Sequence, residues 1–169
     1  TEARFVEHKV GPPTRAYLKL WEALTLLGAR PGPGDRCLDA GASPGGWTWA
    51  LARRGAQVLA VDRAPLEPSV TAMPGVEYRK GSAFSLQPGR DGPFDWILSD
   101  VVCYPERLWR WIQGWLESGA ATRFVCTLKF QGDSHYGAIQ DFAAVPGSRL
   151  VHLHNNKHEL TWMLLHRAG

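Results

Sequence analysis

A glycine-rich turn between an apolar strand and a helix carries the strongest chemical signal in the sequence. Gly41 permits a tight turn, and Gly45 and Gly46 leave the start of the helix uncovered, so that backbone N–H groups can bind an anion such as a carboxylate. A dinucleotide-binding turn would carry glycine at the position of Ser43, so a pyrophosphate ligand is disfavoured. The candidate binding residues of this turn are Asp39, Gly41, Ala42, Ser43, Pro44, Gly45, Gly46 and Trp47.

Two carboxylates accompany this turn. Asp39 ends the strand before it and offers an acceptor for an ammonium group. Asp62 ends the next strand, about 20 residues further on, where it is placed to bind ribose hydroxyls. An amino acid that carries an adenosine presents an ammonium group, a carboxylate and a ribose without phosphate. The turn therefore predicts a site for S-adenosylmethionine, with S-adenosylhomocysteine as the product.

The elements that must position these residues alternate between strands and helices. Thr14 is a candidate N-cap for the first helix, and Gly28 lies just past its end. We predict helices over 14–27, 46–54, 105–118 and 134–144, a short or irregular crossover over 63–74, and strands over 36–40, 57–61, 76–79, 94–99, 123–128, 149–154 and 159–166. The last connection is too short for a parallel crossover, so the final pair must be antiparallel. The pattern indicates an open, doubly wound α/β domain with a mostly parallel seven-stranded sheet and one antiparallel strand near its end.

Charged residues also stand at the ends of two central strands. Asp100 and Lys129 follow neighbouring apolar runs, so both should lie on the same rim of the sheet as the glycine turn. A lysine that ends an apolar strand is costly to bury without a partner, which favours a functional site. Glu159 opens the reversed last strand, and the long side chain of Lys19 could reach over the rim from the first helix.

Five segments occur in a fixed order over nearly the whole chain: RAYLKL, DAGASPGGWT, LSD, TLK and HELTWML. Together they resemble the RrmJ/FtsJ-type ribose 2′-O-methyltransferases, a family with the Rossmann-like class I methyltransferase fold. The stretches SDVVCYPERL and LKF…Y look most like the RlmM branch, which methylates a cytidine ribose in large-subunit ribosomal RNA.

The resemblance implies that Lys19, Asp100, Lys129 and Glu159 form a catalytic Lys-Asp-Lys-Glu tetrad and that RNA, expected to be ribosomal RNA, is the partner. It also implies cofactor contacts from Asp100 and from Ser82 and Ala83. Related enzymes often place an acidic residue near the adenine where this chain has Ser82 and Ala83. Members of the RlmM branch carry an additional N-terminal RNA-binding region, so such a region or a separate partner is expected outside this chain.

A ribose hydroxyl is a poor nucleophile and needs a base when it attacks the sulfonium methyl group. Two partly desolvated lysines lower each other's pKa, so that one can be neutral and accept the proton. We assign this role to Lys129, with Lys19 tuning it and Asp100 and Glu159 orienting the lysine and the hydroxyl.

Composition sets the outer limits of this interpretation. With 169 residues, 44% of them apolar and 21% charged, the chain is typical of one globular domain, of which residues 1–13 form a basic extension. The net charge of +3 permits a phosphate-bearing partner but does not require one. Neither a signal peptide nor a run of roughly 20 apolar residues is evident, so no membrane contact is expected. Because the first residue is not Met, we expect the chain to be a trimmed product or a piece of a longer protein.

The cysteines and histidines are spaced as in a cytoplasmic protein without disulfides or a metal site. Three cysteines without CxxC spacing favour reduced thiols and a cytoplasmic location: Cys37, Cys103 and Cys126. His152, His154 and His158 lie around one strand and turn, but no acidic or cysteine partner stands at ligand spacing, so we expect no metal.

Two questions stay open at this stage. Trp109 and Trp111 should cover the core, although either could stack on a base, and Tyr104 is the better candidate for a contact to the substrate nucleotide. The acceptor could instead be a small molecule, or the chain could be a non-catalytic RNA-binding or assembly factor with a relict cofactor site.

Overall fold

One sheet organises the domain. The computed structural model describes residues 11–129, 135–154, 156 and 159–165. Its strands are β1 (Arg36–Ala40), β2 (Gln57–Asp62), β3 (Val76–Lys80), β4 (Trp96–Ser99), β5 (Arg123–Lys129), β6 (Arg149–Val151) and β7 (Glu159–Leu165). They lie in the order β3-β2-β1-β4-β5-β7-β6, and β7 alone runs antiparallel to its neighbours. The predicted seven-stranded, mostly parallel sheet with one reversed strand is confirmed.

Helices cover both faces of this sheet. They are α1 (Tyr17–Leu27), α2 (Gly46–Arg53), α3 (Pro68–Thr71), α4 (Pro88–Asp91), α5 (Pro105–Ser118) and α6 (Tyr136–Ala143). Alternate residues of each strand point to opposite faces. The side of Leu98 packs with apolar residues of α1, α2 and α3, whereas the side of Ile97 packs with α5 and α6. The result is a three-layer α/β/α domain.

The first helix shows one wrong and one correct boundary prediction. Thr14 is not its N-cap, because α1 begins at Tyr17 and Ala16 occupies the cap position. The Thr14 hydroxyl instead accepts a hydrogen bond from the Ala16 N–H at 3.2 Å, in the turn before the helix. Gly28 does end the helix, with a φ of 74° and its N–H bonded to the Leu24 carbonyl.

The closing hairpin is shorter than predicted. β6 ends at Val151 rather than continuing to 154, because the Leu153 N–H bonds to the Asn156 side chain and leaves the sheet ladder. Residues 1–10 of the predicted basic extension lie outside the described residues, as does His158. Within the described ranges, no helix is both long enough and apolar enough to cross a bilayer.

Candidate active site

A cleft of about 500 Å³ opens above the carboxyl ends of β1, β2 and β4. It lies where the chain moves from one side of β1 to the other, which is the usual ligand position in such sheets. Its lining includes most of the predicted binding residues, namely Asp39, Gly41, Ala42, Ser43, Pro44, Gly46, Trp47, Asp62 and Asp100. Lys129, Val101 and Val102 complete the same wall. Of the turn residues, Gly45 is not in this lining and instead serves as the N-cap of α2.

Ser82 and Ala83 line a smaller adjoining pocket of about 210 Å³. This pocket shares Gly41 and Asp62 with the main cleft, so the two spaces have common walls. The predicted binding residues Ser82 and Ala83 therefore lie in a pocket that adjoins the main cleft.

Gly41 closely approaches Val101 in the lining of the cleft. Its φ of 76° lies in the left-handed region, which favours glycine. A Cβ at this position would lie 2.7 Å from the Cβ of Val101, which lines the same cleft. Any larger residue would therefore strain the turn and push the turn and Val101 apart.

Asp39 is a buried carboxyl group facing this space, with only 1% of its surface exposed. Burial raises the pKa of Asp39 to about 7; the hydrogen bond from the Thr48 hydroxyl, 2.7 Å long, opposes this, and the nearby charges of Asp100 and Asp62 add to it. A cation bound at this carboxyl would favour its charged form, so Asp39 is suited to hold an ammonium group.

Asp62 is fixed by the turn itself. One of its carboxylate oxygens accepts a hydrogen bond from the Ser43 N–H at 2.9 Å, and the other accepts one from the Ala64 N–H at 3.0 Å. Each carboxylate oxygen can accept further hydrogen bonds, so Asp62 can receive two neighbouring hydroxyl groups from the cleft.

The four predicted tetrad residues meet at the rim beside this cleft. The Lys19 Nζ lies 2.9 Å from Asp100 Oδ1 and 2.5 Å from Glu159 Oε1. Lys129 donates a hydrogen bond to the Asp100 carbonyl oxygen at 2.6 Å, and its Nζ lies 3.4 Å from Asp100 Oδ1. Lys129 and Glu159 are also directly paired in the β5–β7 register. Asp100 is thus the centre of the cluster, in contact with both lysines.

The direction of the pKa shift of Lys19 differs from the prediction. Burial lowers the pKa of Lys19, but the charges and hydrogen bonds of Asp100 and Glu159 outweigh it, so the net shift is upward. The expectation that the two lysines lower each other's pKa is therefore wrong for Lys19. Two close carboxylates hold it as a cation, and Lys19 acts as the charged bridge between Asp100 and Glu159.

Asn156 is a site residue that the sequence did not reveal. Its side chain donates a hydrogen bond to Glu159 Oε1 at 3.1 Å and accepts bonds from the Leu153 N–H and the Thr161 hydroxyl. Because both the amide nitrogen and the amide oxygen of Asn156 make hydrogen bonds, the orientation of the side chain is fixed. Asn156 therefore holds the Glu159 carboxylate in its position beside Lys19. The only sequence signal was a polar residue in the turn between the last two strands.

The aromatic residues considered for a contact to the substrate base differ in their surroundings. The Trp111 indole N–H bonds to the Leu86 carbonyl, and its ring packs edge-on against Trp115, as expected for a residue that covers the core. Trp109 packs against Phe142 in the same manner. Tyr104, in contrast, is exposed. No three potential metal-binding side chains lie together anywhere in the described ranges.

Fold and site together define a Rossmann-like methyltransferase domain. The FtsJ-like methyltransferase family matches residues 13–122, and the chain belongs to this family. The predicted resemblance to the RrmJ/FtsJ family, and to its RlmM branch, is confirmed by the curated relatives.

Two of these relatives are each named ribosomal RNA large subunit methyltransferase M. The protein of Aromatoleum aromaticum is 36% identical over 92% of this chain and 46% of its own length. That of Halorhodospira halophila is 42% identical over 69% of this chain and 35% of its own length. The chain thus spans about half, or less, of the length of these relatives. Among solved structures, a protein of Plasmodium falciparum described as a ribosomal RNA methyltransferase has the same fold, with a TM-score of 0.62, 18% identity and coverage of 91% and 99% of the two chains.

Proposed function

We propose that this chain catalyses S-adenosylmethionine-dependent methylation of a ribose 2′-hydroxyl in RNA, with ribosomal RNA as the expected substrate. The observation that carries the proposal is the joined set of two lysines and two carboxylates on the rim of the cleft, centred on Asp100. A ribose hydroxyl needs a base and an aligned methyl donor, and this arrangement offers the first beside a space for the second.

The cleft fits the proposed cofactor in its chemistry. Asp39 matches the ammonium group, the start of α2 can receive the carboxylate, and Asp62 matches the ribose hydroxyls. When bound, S-adenosylmethionine supplies an electrophilic methyl group.

Lys129 is the proposed proton acceptor. Lys19 contacts two carboxylates and stays charged, whereas Lys129 contacts one carboxylate that Lys19 already neutralises in part. Lys129 is also the more exposed lysine, at 21% of its side chain against 11%, so a substrate hydroxyl can approach its Nζ from the solvent side. The Asp100 carbonyl fixes the position of its Nζ.

The other tetrad members position the reacting groups. Glu159 receives hydrogen bonds from Lys19 and Asn156 on one oxygen, and its other oxygen can accept a hydrogen bond from a hydroxyl and orient it. Asp100 contacts both lysines and also lines the cleft, so it lies between the proposed cofactor site and the lysines that would receive the ribose hydroxyl.

The proposal is tested by incubating the protein with methyl-labelled S-adenosylmethionine and deproteinised ribosomal RNA, followed by nucleoside analysis. We expect a labelled 2′-O-methylated nucleoside with the wild type and none with Lys129→Ala. Lys129→Arg should also be inactive, because arginine keeps the charge but does not give up its proton. Lys80→Ala is the matched control, since Lys80 ends β3 as Lys129 ends β5 but lies exposed outside the tetrad.

Each negative result has a distinct meaning. Activity in Lys129→Arg would refute the base role but not the reaction. Cofactor binding without RNA labelling would call for intact ribosomal particles and a metabolite extract as substrates. Labelling of particles alone would indicate that a partner or further region presents the RNA, and labelling of a metabolite alone would replace the proposed substrate.

A further inference from the structure

Three of the four large apolar side chains that are exposed in the described part of the chain lie in segments that follow the strands carrying Asp100 and Lys129. Among the described residues, the large apolar side chains that are exposed are Leu26, Val102, Tyr104 and Tyr136. Val102 and Tyr104 lie in the loop after β4, and Tyr136 begins α6, the helix that follows β5. Asp100 directly follows β4, and Lys129 is the last residue of β5. A cluster of exposed rings next to a catalytic centre indicates a contact surface for the substrate.

Tyr104 is close to the reacting groups along the chain. Val102 lines the cleft together with Asp100 and Lys129. Tyr104 is two residues further, which is at most about 7 Å of extended backbone. A ribose placed at Lys129 therefore has Tyr104 within reach of its own base or of the adjacent one.

Tyr104 is also held in place before any ligand arrives. Its ring lies 5.5 Å from the His135 ring at an interplanar angle of 37°. His135 is 7% exposed, and its Nδ1 lies 2.8 Å from Glu106 Oε1, in the first turn of α5. The Tyr104 ring is thus backed by an anchored ring while 56% of the residue remains exposed. A fixed aromatic surface loses little conformational freedom when another ring stacks on it.

Positive charge accompanies this surface. Arg107 and Arg110 are exposed on the same first turns of α5, and the Arg107 guanidinium lies 4.5 Å from the Phe84 ring centre. Exposed rings with adjacent arginines fit an unpaired nucleic acid strand, whose bases stack and whose phosphates are negative. An uncharged apolar partner would not use the arginines.

We propose that Tyr104, backed by His135, is a stacking platform for an unpaired base at or next to the reacting ribose. This inference takes its substrate class from the proposed function. It assigns to the loop after β4 the selection of a single-stranded target, since a base inside a duplex cannot present its face to Tyr104.

The test compares Tyr104→Phe, which keeps the ring, with Tyr104→Leu, which keeps apolar bulk without a ring. In the RNA methylation assay, Tyr104→Leu should raise the KM for RNA by about 5- to 140-fold, the range expected for one lost base stack. Tyr104→Phe should stay within about twofold of the wild type. Calorimetric affinity for S-adenosylmethionine should be unchanged in both. Leu26→Ala, at an exposed apolar residue on α1, is the control and should have no effect on the KM.

A second measurement separates this inference from the proposed reaction. A single-stranded oligoribonucleotide that contains 2-aminopurine is titrated with each variant, and fluorescence quenching reports stacking. Quenching by the wild type and Tyr104→Phe but not by Tyr104→Leu supports the platform, even if no methyl transfer to RNA occurs. Equal quenching and equal KM for the Leu and Phe variants would overturn it, because the contact would then be apolar cover or a protein surface.

Discussion

Asp39→Asn removes the buried titratable carboxyl group from the cleft while keeping its size and an oxygen acceptor for the Thr48 hydroxyl. The pKa of Asp39 is raised from 3.8 to about 7, chiefly by burial. As the pH rises from about 4 to about 7, the unfolded chain loses the Asp39 proton before the folded protein does, and this difference favours unfolding. The wild type should therefore lose stability between about pH 4 and pH 7 from this group, by up to about 4 kcal/mol when the shift is fully expressed.

The asparagine variant is neutral at every pH and escapes this loss. The difference in the free energy of unfolding between Asp39→Asn and the wild type should shift by about 1–3 kcal/mol in favour of the variant between pH 5 and pH 8. Urea unfolding without cofactor measures this difference. The same variant should bind S-adenosylmethionine more weakly by about 10- to 100-fold, because the ammonium group loses a charged partner. The variant would thus be more stable and less functional.

Asp35→Asn is the control, since the Asp35 carboxylate accepts a hydrogen bond from the Gly32 N–H in the turn before β1, at the opposite edge of the sheet. A stability difference between Asp39→Asn and the wild type that does not change with pH would refute the reasoning. It would mean that Asp39 is ionised in the folded cleft without a cation.

Three further substitutions probe the same rim. Gly41→Ala should destabilise the protein by about 1–3 kcal/mol in urea unfolding and weaken calorimetric cofactor binding, because its backbone is left-handed and the added Cβ would collide with Val101 in the cleft lining. Thr48→Val removes a hydrogen bond that lowers the pKa of Asp39, so cofactor affinity should fall at pH 7 and recover at higher pH; a pH-independent loss would contradict this. Asn156→Ala should reduce the methylation rate about tenfold with cofactor affinity intact, because Glu159 loses a donor; unchanged turnover would refute the positioning role.

Much of the fold could be predicted because its signals are local. Short apolar runs bounded by turn residues give the strands, helical apolar periodicity gives the helices, and Gly28 marks a helix end through its own backbone preference. The reversal of β7 followed from a connection too short for a parallel crossover. Thr14 failed as a cap because the choice between Thr14 and Ala16 depends on how the chain enters the helix, which propensity does not encode.

The site was predictable in its residues but not in its electrostatics. The sequence and the family resemblance gave the residues that meet at the rim, but not their distances. The pKa direction of Lys19 depends on two carboxylates at 2.9 and 2.5 Å, and these distances arise only when α1, β4 and β7 pack together. Asn156 was missed for a related reason, since its role exists only after the hairpin has closed around Thr161.

The position of β7 between β5 and β6 has a consequence for the order in which the protein becomes active. The residues that line the cofactor cleft at the glycine turn belong to segments that precede β5 in the chain. Glu159, by contrast, reaches the rim only when the final strand inserts beside β5, and β6 has no place in the sheet until then. Under the proposed function, the four residues of the tetrad are therefore brought together only when the last strand is paired with β5. Methyl transfer would then depend on the completed sheet, whereas the glycine turn and its two carboxylates lie in earlier segments of the chain.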